Sequence, residues 1–409
     1  IIAAQTVAPG ENALLAHHLA IEQAVIGGPL VAGETTKLLR NGPPTFDAIF
    51  AAIKGARRRI DMEYYIFQDV ENHGEHIGDL LLAKRRQGVA ISIIYDDFGS
   101  QVQPRAFFRR LAAAGIAVLK FNPLNPLDDR TGAWKPNDRD HRKILVVDGR
   151  LALVGGVNLA TEYEINRFAK SGSPANATDL PWRDTDIEVT GPAVAQLEGI
   201  FVQHWREQRG PDLPLVLDPP PAAAPTGDSV VRFIASSPHH PVRRYYVTLV
   251  SALRAAERSI TVEAAYFVPT RDETAALVAA AARGVDVALI VPSKTDSPVS
   301  QAVGRSHYGA LLRAGVKIYE RKGVILHSKT MTVDGVWSVV GSSNFDHRSI
   351  VYNDEVDAIV IGTSTAAGLE AMAAGDRARA RVVTLADWRH RGFAERLKET
   401  FGKLVQNLL

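Results

Sequence analysis

The chain contains no cysteine, which excludes disulfides, thiolate metal sites and a cysteine nucleophile together. It fixes no compartment, because a cysteine-free chain suits oxidising and reducing surroundings alike. Also missing is any apolar run approaching the roughly 18–20 residues that a membrane span needs. Neither charge dominates: 47 Lys and Arg face 45 Asp and Glu, a formal net charge of +2, so charge alone announces no nucleic-acid partner. What is present is a globular composition, 46% hydrophobic and 22% charged, which excludes disorder. With 409 residues there is enough chain for two sizeable cores. The first residue is Ile1 rather than methionine, as in a processed or trimmed chain. Removal of a signal peptide would make the protein periplasmic or secreted; that, or a peripheral membrane position, is the expectation.

The chain reads as a duplication. Arg58-Arg59-Ile60-Asp61-Met62-Glu63 and Arg258-Ser259-Ile260-Thr261-Val262-Glu263 stand 200 residues apart, each followed by an apolar and aromatic stretch reaching Phe67 or Phe267. Gly88-Val89 and Gly284-Val285 each close a helical pattern and open a strand-like one, and Ala114-Gly115 and Ala314-Gly315 are again 200 apart. Each half therefore alternates strand and helix, which predicts an α/β fold with a mainly parallel central sheet. Residues 211–228 are rich in proline and alanine and fit a surface linker, so the expected halves are 1–210 and 229–409. The offset falls to 186 at the motif histidines, leaving about 14 extra residues in the first half, Leu124 to Asn137. They form either a substrate gate or a tolerated surface loop.

The strongest signal occurs twice. His141-Arg142-Lys143-Ile144-Leu145-Val146-Val147-Asp148-Gly149 matches His327-Ser328-Lys329-Thr330-Met331-Thr332-Val333-Asp334-Gly335, and each histidine stands 17 residues before an asparagine, Asn158 or Asn344. The apolar, β-branched run reads as a strand, so each histidine and its lysine, two apart, face one pocket. Asp-Gly is the favoured pair for a two-residue hairpin turn. With that turn the return strand places Gly156 opposite His141, Val154 opposite Lys143 and Ser342 opposite His327, with the asparagines facing the same pocket. Seven residues of strand, roughly 23 Å, separate each histidine from its aspartate, so Asp148 and Asp334 are expected to serve the turn rather than touch the same phosphate.

Asp184 and Glu355 each lie seven residues before a glycine, Gly191 or Gly362, at the end of an apolar run. The repeat makes them equivalent, and a carboxylate accepting the Nδ1 proton of each histidine would leave Nε2 free to react. Glu63 and Glu263 could line the pocket or be paired polar groups in buried strands. Glu71, His73, Glu75 and His76 have metal-ligand chemistry, but their loop-like setting favours a solvated surface. Phe393, Leu397, Phe401, Leu404, Val405 and Leu408 make an apolar helical face, suited to packing or to a membrane interface.

His-x-Lys-x4-Asp followed by Gly-Gly-Val-Asn or Gly-Ser-Ser-Asn resembles the phospholipase D superfamily, whose members carry two such motifs per active site. Asp140 to Arg150, Gly155 to Asn158 with Glu162-Tyr163, Gly341 to Ser349, and Trp388 to Arg391 look like bacterial cardiolipin synthases. The resemblance covers nearly the whole chain. It implies two halves facing across a pseudo-twofold axis, a phospholipid substrate, no metal or other cofactor, peripheral membrane contact and activity as a monomer. It also implies a covalent phosphohistidine, with His141 as nucleophile, His327 as general acid, and Lys143, Lys329, Asn158, Asn344 and Ser342 around the phosphate. This sequence departs from the commonest motif at Gly156, where a serine is usual, and it lacks the N-terminal membrane helices of some cardiolipin synthases. A nuclease of the same superfamily would use identical chemistry on nucleic acid but would call for a basic groove, which the near-neutral charge does not encourage.

Overall fold

A computed structural model describes residues 29–132, 134–164, 180–213 and 223–392, together with residues 20 and 395. The apolar face from Phe393 to Leu408 and half of the proline-rich segment, 214–222, lie outside the described residues.

Strands in the middle of the molecule are buried from end to end, apolar residues alternating in places with buried polar ones. Ala90–Asp96 and Asn353–Ile361 are buried at every position, the pattern of strands covered on both faces rather than one. The first half orders its strands Val31–Arg40, Thr185–Thr190, Leu151–Gly155, Lys143–Val147, Arg59–Tyr64, Ala90–Asp96, Ala117–Phe121. The second repeats this as Ser229–Ser236, Asn353–Ile361, Trp337–Gly341, Lys329–Val333, Ser259–Ala264, Asp286–Pro292, Lys317–Arg321, with Ala380–Val383 added at the edge. Strand-for-strand correspondence is what the repeat requires. The two sheets join edge to edge, Val31 opposite Val231, into one continuous ribbon.

The sheets are mixed rather than mainly parallel. Arg59–Tyr64, Ala90–Asp96 and Ala117–Phe121 run parallel, as do their counterparts. Each motif hairpin and the strands beyond it pair antiparallel. The α/β alternation ends where the motif begins, because a hairpin needs no crossover helix.

The ribbon folds so that its two faces pack on each other. One core interleaves Ile144, Val146, Val154 and Ile187 with Val231, Val340, Val356 and Ala358. Outside it, helices Gly42–Gly55, Ile77–Arg86 and Arg105–Ala113 cover the first sheet. Helices Arg244–Ala255, Arg271–Ala282 and Pro298–Ala314 cover the second. Helices Val194–Glu207 and Thr363–Arg377 add Val194, Leu197 and Leu369 to the core between the sheets, and the site lies where the two sheets meet.

The motif turns have the expected Asp-Gly chemistry. Asp148 and Gly149 have φ of 52° and 62°, and Asp334 and Gly335 of 54° and 69°; Arg150 N–H donates to Val147 O, and Val336 N–H to Val333 O. The register is off by one from the simple hairpin, with Val147 opposite Leu151 and Ile144 opposite Val154, and Val333 opposite Trp337. Arg150 and Val336 each bulge out as one extra residue on the return strand. The ladders stop at Val154 and Val340, so neither Gly156 nor Ser342 stands across from its histidine.

Candidate active site

Each histidine is placed by a short parallel pairing between the halves. Arg139 and Asp140 pair with Asn353 and Asp354, and His141 N–H then donates to Asp354 O at 2.9 Å. In the mirror arrangement Trp182 and Arg183 pair with Ile325 and Leu326, and His327 N–H donates to Arg183 O at 2.7 Å. One residue further along each pairing, His141 meets Glu355 and His327 meets Asp184. His141 Nδ1 lies 3.0 Å from Glu355 Oε2, and His327 Nδ1 lies 2.7 Å from Asp184 Oδ2. The two carboxylates thus occupy the equivalent places that the repeat assigns them, but each serves the histidine of the opposite half.

Electrostatics fix the protonation pattern. Burial opposes ionisation of Glu355, but His141, Lys143 and the Ser342 hydroxyl outweigh it and hold the carboxyl below its usual range. Asp184 is likewise depressed: burial opposes ionisation, and Lys329, His327 and the Thr185 amide prevail. An ionised carboxylate on Nδ1 keeps the proton there and leaves the lone pair on Nε2; in His327 that atom lies 3.1 Å from Lys329 Nζ. Burial lowers the proton affinity of His141 to about 4, with Glu355 opposing and Lys143 and Lys329 adding to the shift; Lys329, from the other motif, acts on His141 across the interface. His327 is lowered by burial and Lys329 against Asp184.

The low value at His141 has a consequence for stability. The unfolded ring titrates near 6.5 and the folded ring near 4, so between those values the unfolded chain binds a proton that the folded chain refuses. Stability therefore falls as pH drops from about 6.5 to about 4, by up to ~1.4 kcal/mol per pH unit from this group. Urea unfolding at pH 7 and pH 5 should show a lower midpoint at pH 5, with a smaller fall for His141→Gln.

Both motif lysines are buried and donate to the carbonyl of their own histidine, Lys143 Nζ to His141 O and Lys329 Nζ to His327 O. Burial pushes Lys143 down to about 7, Glu355 opposing and Lys329 reinforcing; burial lowers Lys329 as well. Asn158 Oδ1 accepts from Ile66 N–H, and Asn344 is buried at the matching position.

Gly156 and Ser342 lie against the carboxylates. Ser342 Oγ donates to Glu355 Oε2 at 2.5 Å, and Ser349 Oγ and Asn353 Nδ2 donate to Oε1. A Cβ at Gly156 would stand 2.1 Å from Asp184 Oδ1, so the first half has no room for the serine. Tyr163 supplies the missing hydroxyl from elsewhere: its Oη donates to Asp184 Oδ2 at 2.9 Å and lies 3.1 Å from His327 Nδ1. The glycine in the motif was the available hint, since a lost donor on a buried carboxylate requires another. Tyr163→Phe should lower turnover about tenfold, the scale of losing an outer-shell partner. With one donor fewer on Asp184, the limb of the pH–rate profile due to His327 should move to higher pH, which mere loosening of the fold would not do.

Asp148 and Asp334 do not join this group. The Asp148 carboxylate accepts from the amides of Arg57, Arg58 and Arg59, each at 2.8 Å, and Asp334 does the same for Glu257, Arg258 and Ser259. Each anchors the start of the neighbouring strand at the far end of the hairpin, so the aspartates of the motif belong to the scaffold, apart from the imidazoles.

Glu63 and Glu263 are paired polar groups in buried strands. Arg142 Nη1 lies 3.3 Å from Glu63 Oε1, Nη2 lies 3.2 Å from Asp354 Oδ1, and Nε donates to Glu355 O. In the other half the guanidinium comes from Arg183, which reaches Glu263, Asp376 and Ser328 Oγ. Glu63, Asp140 and the buried His204 have metal-ligand spacing, but Arg142 already supplies positive charge among them. The surface cluster is a small hairpin, Glu71–Asn72 with Glu75–His76, whose His73 contacts Asp47 and whose Glu75 contacts Lys54.

The family described as "Cardiolipin synthase, PLD-like domain" matches twice, at residues 49–167 and 249–376. The chain is 35% identical to the cardiolipin synthase of Geobacillus kaustophilus over 93% of this chain and 74% of that protein. It is 32% identical to cardiolipin synthase A of Pseudomonas putida over 93% and 76% respectively. The crystal structure of phosphatidylserine synthase from Haemophilus influenzae Rd KW20 shares the fold, with a TM-score of 0.68 over 96% of this chain and 100% of that one, at 14% identity. Two matches to one family, on two halves that meet at a pair of imidazoles, make the chain a member of the cardiolipin synthase family of phospholipase D-like proteins.

Proposed function

We propose that the protein transfers a phosphatidyl group between alcohols through a covalent phosphohistidine. Cardiolipin formation from phosphatidylglycerol is the leading reaction, and hydrolysis results when water is the acceptor. The observation that carries this reading is the crossed pair of imidazoles, each with a carboxylate on Nδ1. In the first step His141 Nε2 attacks phosphorus, the phosphorus–oxygen bond to the leaving alcohol breaks, and His327 gives that oxygen its proton. In the second His327 takes the acceptor's proton, the acceptor oxygen attacks phosphorus, and the phosphorus–nitrogen bond breaks. Lys143, Lys329, Asn158 and Asn344 surround the non-bridging oxygens and stabilise the charge there. Residues 1–210 and 229–409, joined by 211–228, act as the two halves that each bring one imidazole, so a single chain suffices.

The test incubates the protein with phosphatidylglycerol, phosphatidylcholine and plasmid DNA, without added metal and with chelator. Cardiolipin and glycerol, or phosphatidic acid where water competes, are the expected products. DNA cleavage with no lipid product would replace this reading with that of a nuclease.

A further inference from the structure

Among the described residues, seven large apolar side chains are exposed: Phe98, Val102, Leu124, Leu127, Val242, Val299 and Val382. Single exposed apolar residues carry no message, but six of these share one end of the fold. Phe98 and Val102 follow strand Ala90–Asp96, and Leu124 and Leu127 follow Ala117–Phe121. Val242 follows Ser229–Ser236, whose Ser236 pairs with Glu355, and Val299 opens the helix after Asp286–Pro292. His141 and His327 lie at this same end, just beyond the strands beside them: Tyr65 directly follows Arg59–Tyr64, Tyr266 comes two residues after the end of Ser259–Ala264, and their rings touch the two imidazoles. Phe98 lies under the Arg139 guanidinium, two residues from His141, and Leu124 N–H is held by Asp97. Leu127 is 91% exposed and Val102 74%.

Exposed cations Arg130, Lys135 and Lys294 interleave with these tips. The acids at the same rim are engaged, Asp128 with Lys120 and Asp296 with the Tyr266 hydroxyl. The imidazoles themselves are recessed, their side chains 12% and 5% exposed. A phosphate held in a bilayer reaches them only if the rim enters the headgroup layer.

We infer that the strand-end loops carrying Phe98, Val102, Leu124, Leu127, Val242 and Val299 form a docking surface for an anionic phospholipid bilayer and press the mouth of the site onto it. This rests on the phospholipid reading above. Apolar tips enter the boundary between headgroups and acyl chains, and the cations meet lipid phosphates. The extra segment of the first half, Leu124 to Asn137, supplies the most exposed of these tips.

The experiment compares the whole protein with Val102→Asp/Leu127→Asp and with Val382→Asp, an equally polar change on the outer edge strand. Flotation with equimolar phosphatidylglycerol and phosphatidylcholine vesicles measures binding; turnover is followed on those vesicles and on a short-chain, monomeric phosphatidylglycerol. The double variant should bind vesicles at least about tenfold more weakly, and its ratio of vesicle to monomer turnover should fall by a similar factor. Val382→Asp should change neither. Should the double variant not fold, Leu127→Ser gives the same reading with a smaller fall. An unchanged ratio, or an equal fall for Val382→Asp, overturns the proposal. Wild-type protein that floats with vesicles yet turns over no phospholipid would sink the functional reading and leave the docking surface standing.

Discussion

His327→Ala protein, mixed with short-chain phosphatidylglycerol labelled at phosphorus and quenched in alkali, is expected to carry the label on His141, whereas His141→Ala protein carries none. Both substitutions should lower turnover at least about 10⁴-fold, because nucleophile and acid–base group act as a unit. The order rests on the surroundings of the two rings. Glu355 accepts from four donors, namely His141, Ser342, Ser349 and Asn353. It therefore stays ionised and holds His141 as a neutral ring with Nε2 free. Asp184 accepts from three, namely His327, Tyr163 and Thr185, which leaves more of its charge to oppose the burial and the Lys329 charge that lower His327. Label on His327 in the His141→Ala protein would reverse the roles.

Arg142→Met should cost about 3–5 kcal/mol of stability, the scale for removing one partner of a buried ion pair. Its side chain is 4% exposed, between Glu63 at 0% and Asp354 at 4%, and it also donates to the carbonyls of Glu355 and Ser236. Without it Glu63 retains His204, 2.8 Å away, and Asp140, and Asp354 retains His204 at 3.9 Å, but neither carboxylate keeps a guanidinium. Arg142→Lys keeps the charge but not the fork and should recover only part of the loss. Urea unfolding of Arg142→Met, Glu63→Gln and the double variant would measure the coupling. A double variant as unstable as the sum of the two singles would show that the pair contributes nothing beyond its parts.

Much of this was readable in the residues because it is local. The spacing of His141, Lys143 and Asp148 fixes a strand, its facing and its turn, and the same spacing at His327 fixes the second. What remained hidden depends on groups far apart in the chain. Nothing near Asp184 says that it will meet His327 rather than His141; only the pairing of Arg183 with Leu326 decides that. Arg142 and Arg183 stand at unrelated places in the repeat and fill matching roles, because a buried glutamate needs a cation from any direction. The register slipped because one bulged residue, Arg150 or Val336, leaves no mark in composition. The sheet proved mixed because the hairpins that carry the histidines also carry antiparallel pairing.

The exchange of carboxylates between histidines ties chemistry to assembly. Residues 1–210 made alone would hold His141 with no partner for its Nδ1, and the remainder would hold His327 in the same state, so neither fragment could aim a ring. Any event that parts the two sheets takes the carboxylate from both imidazoles together, so under the phosphohistidine mechanism proposed above no half-active form would remain to release a stranded phosphatidyl group to water.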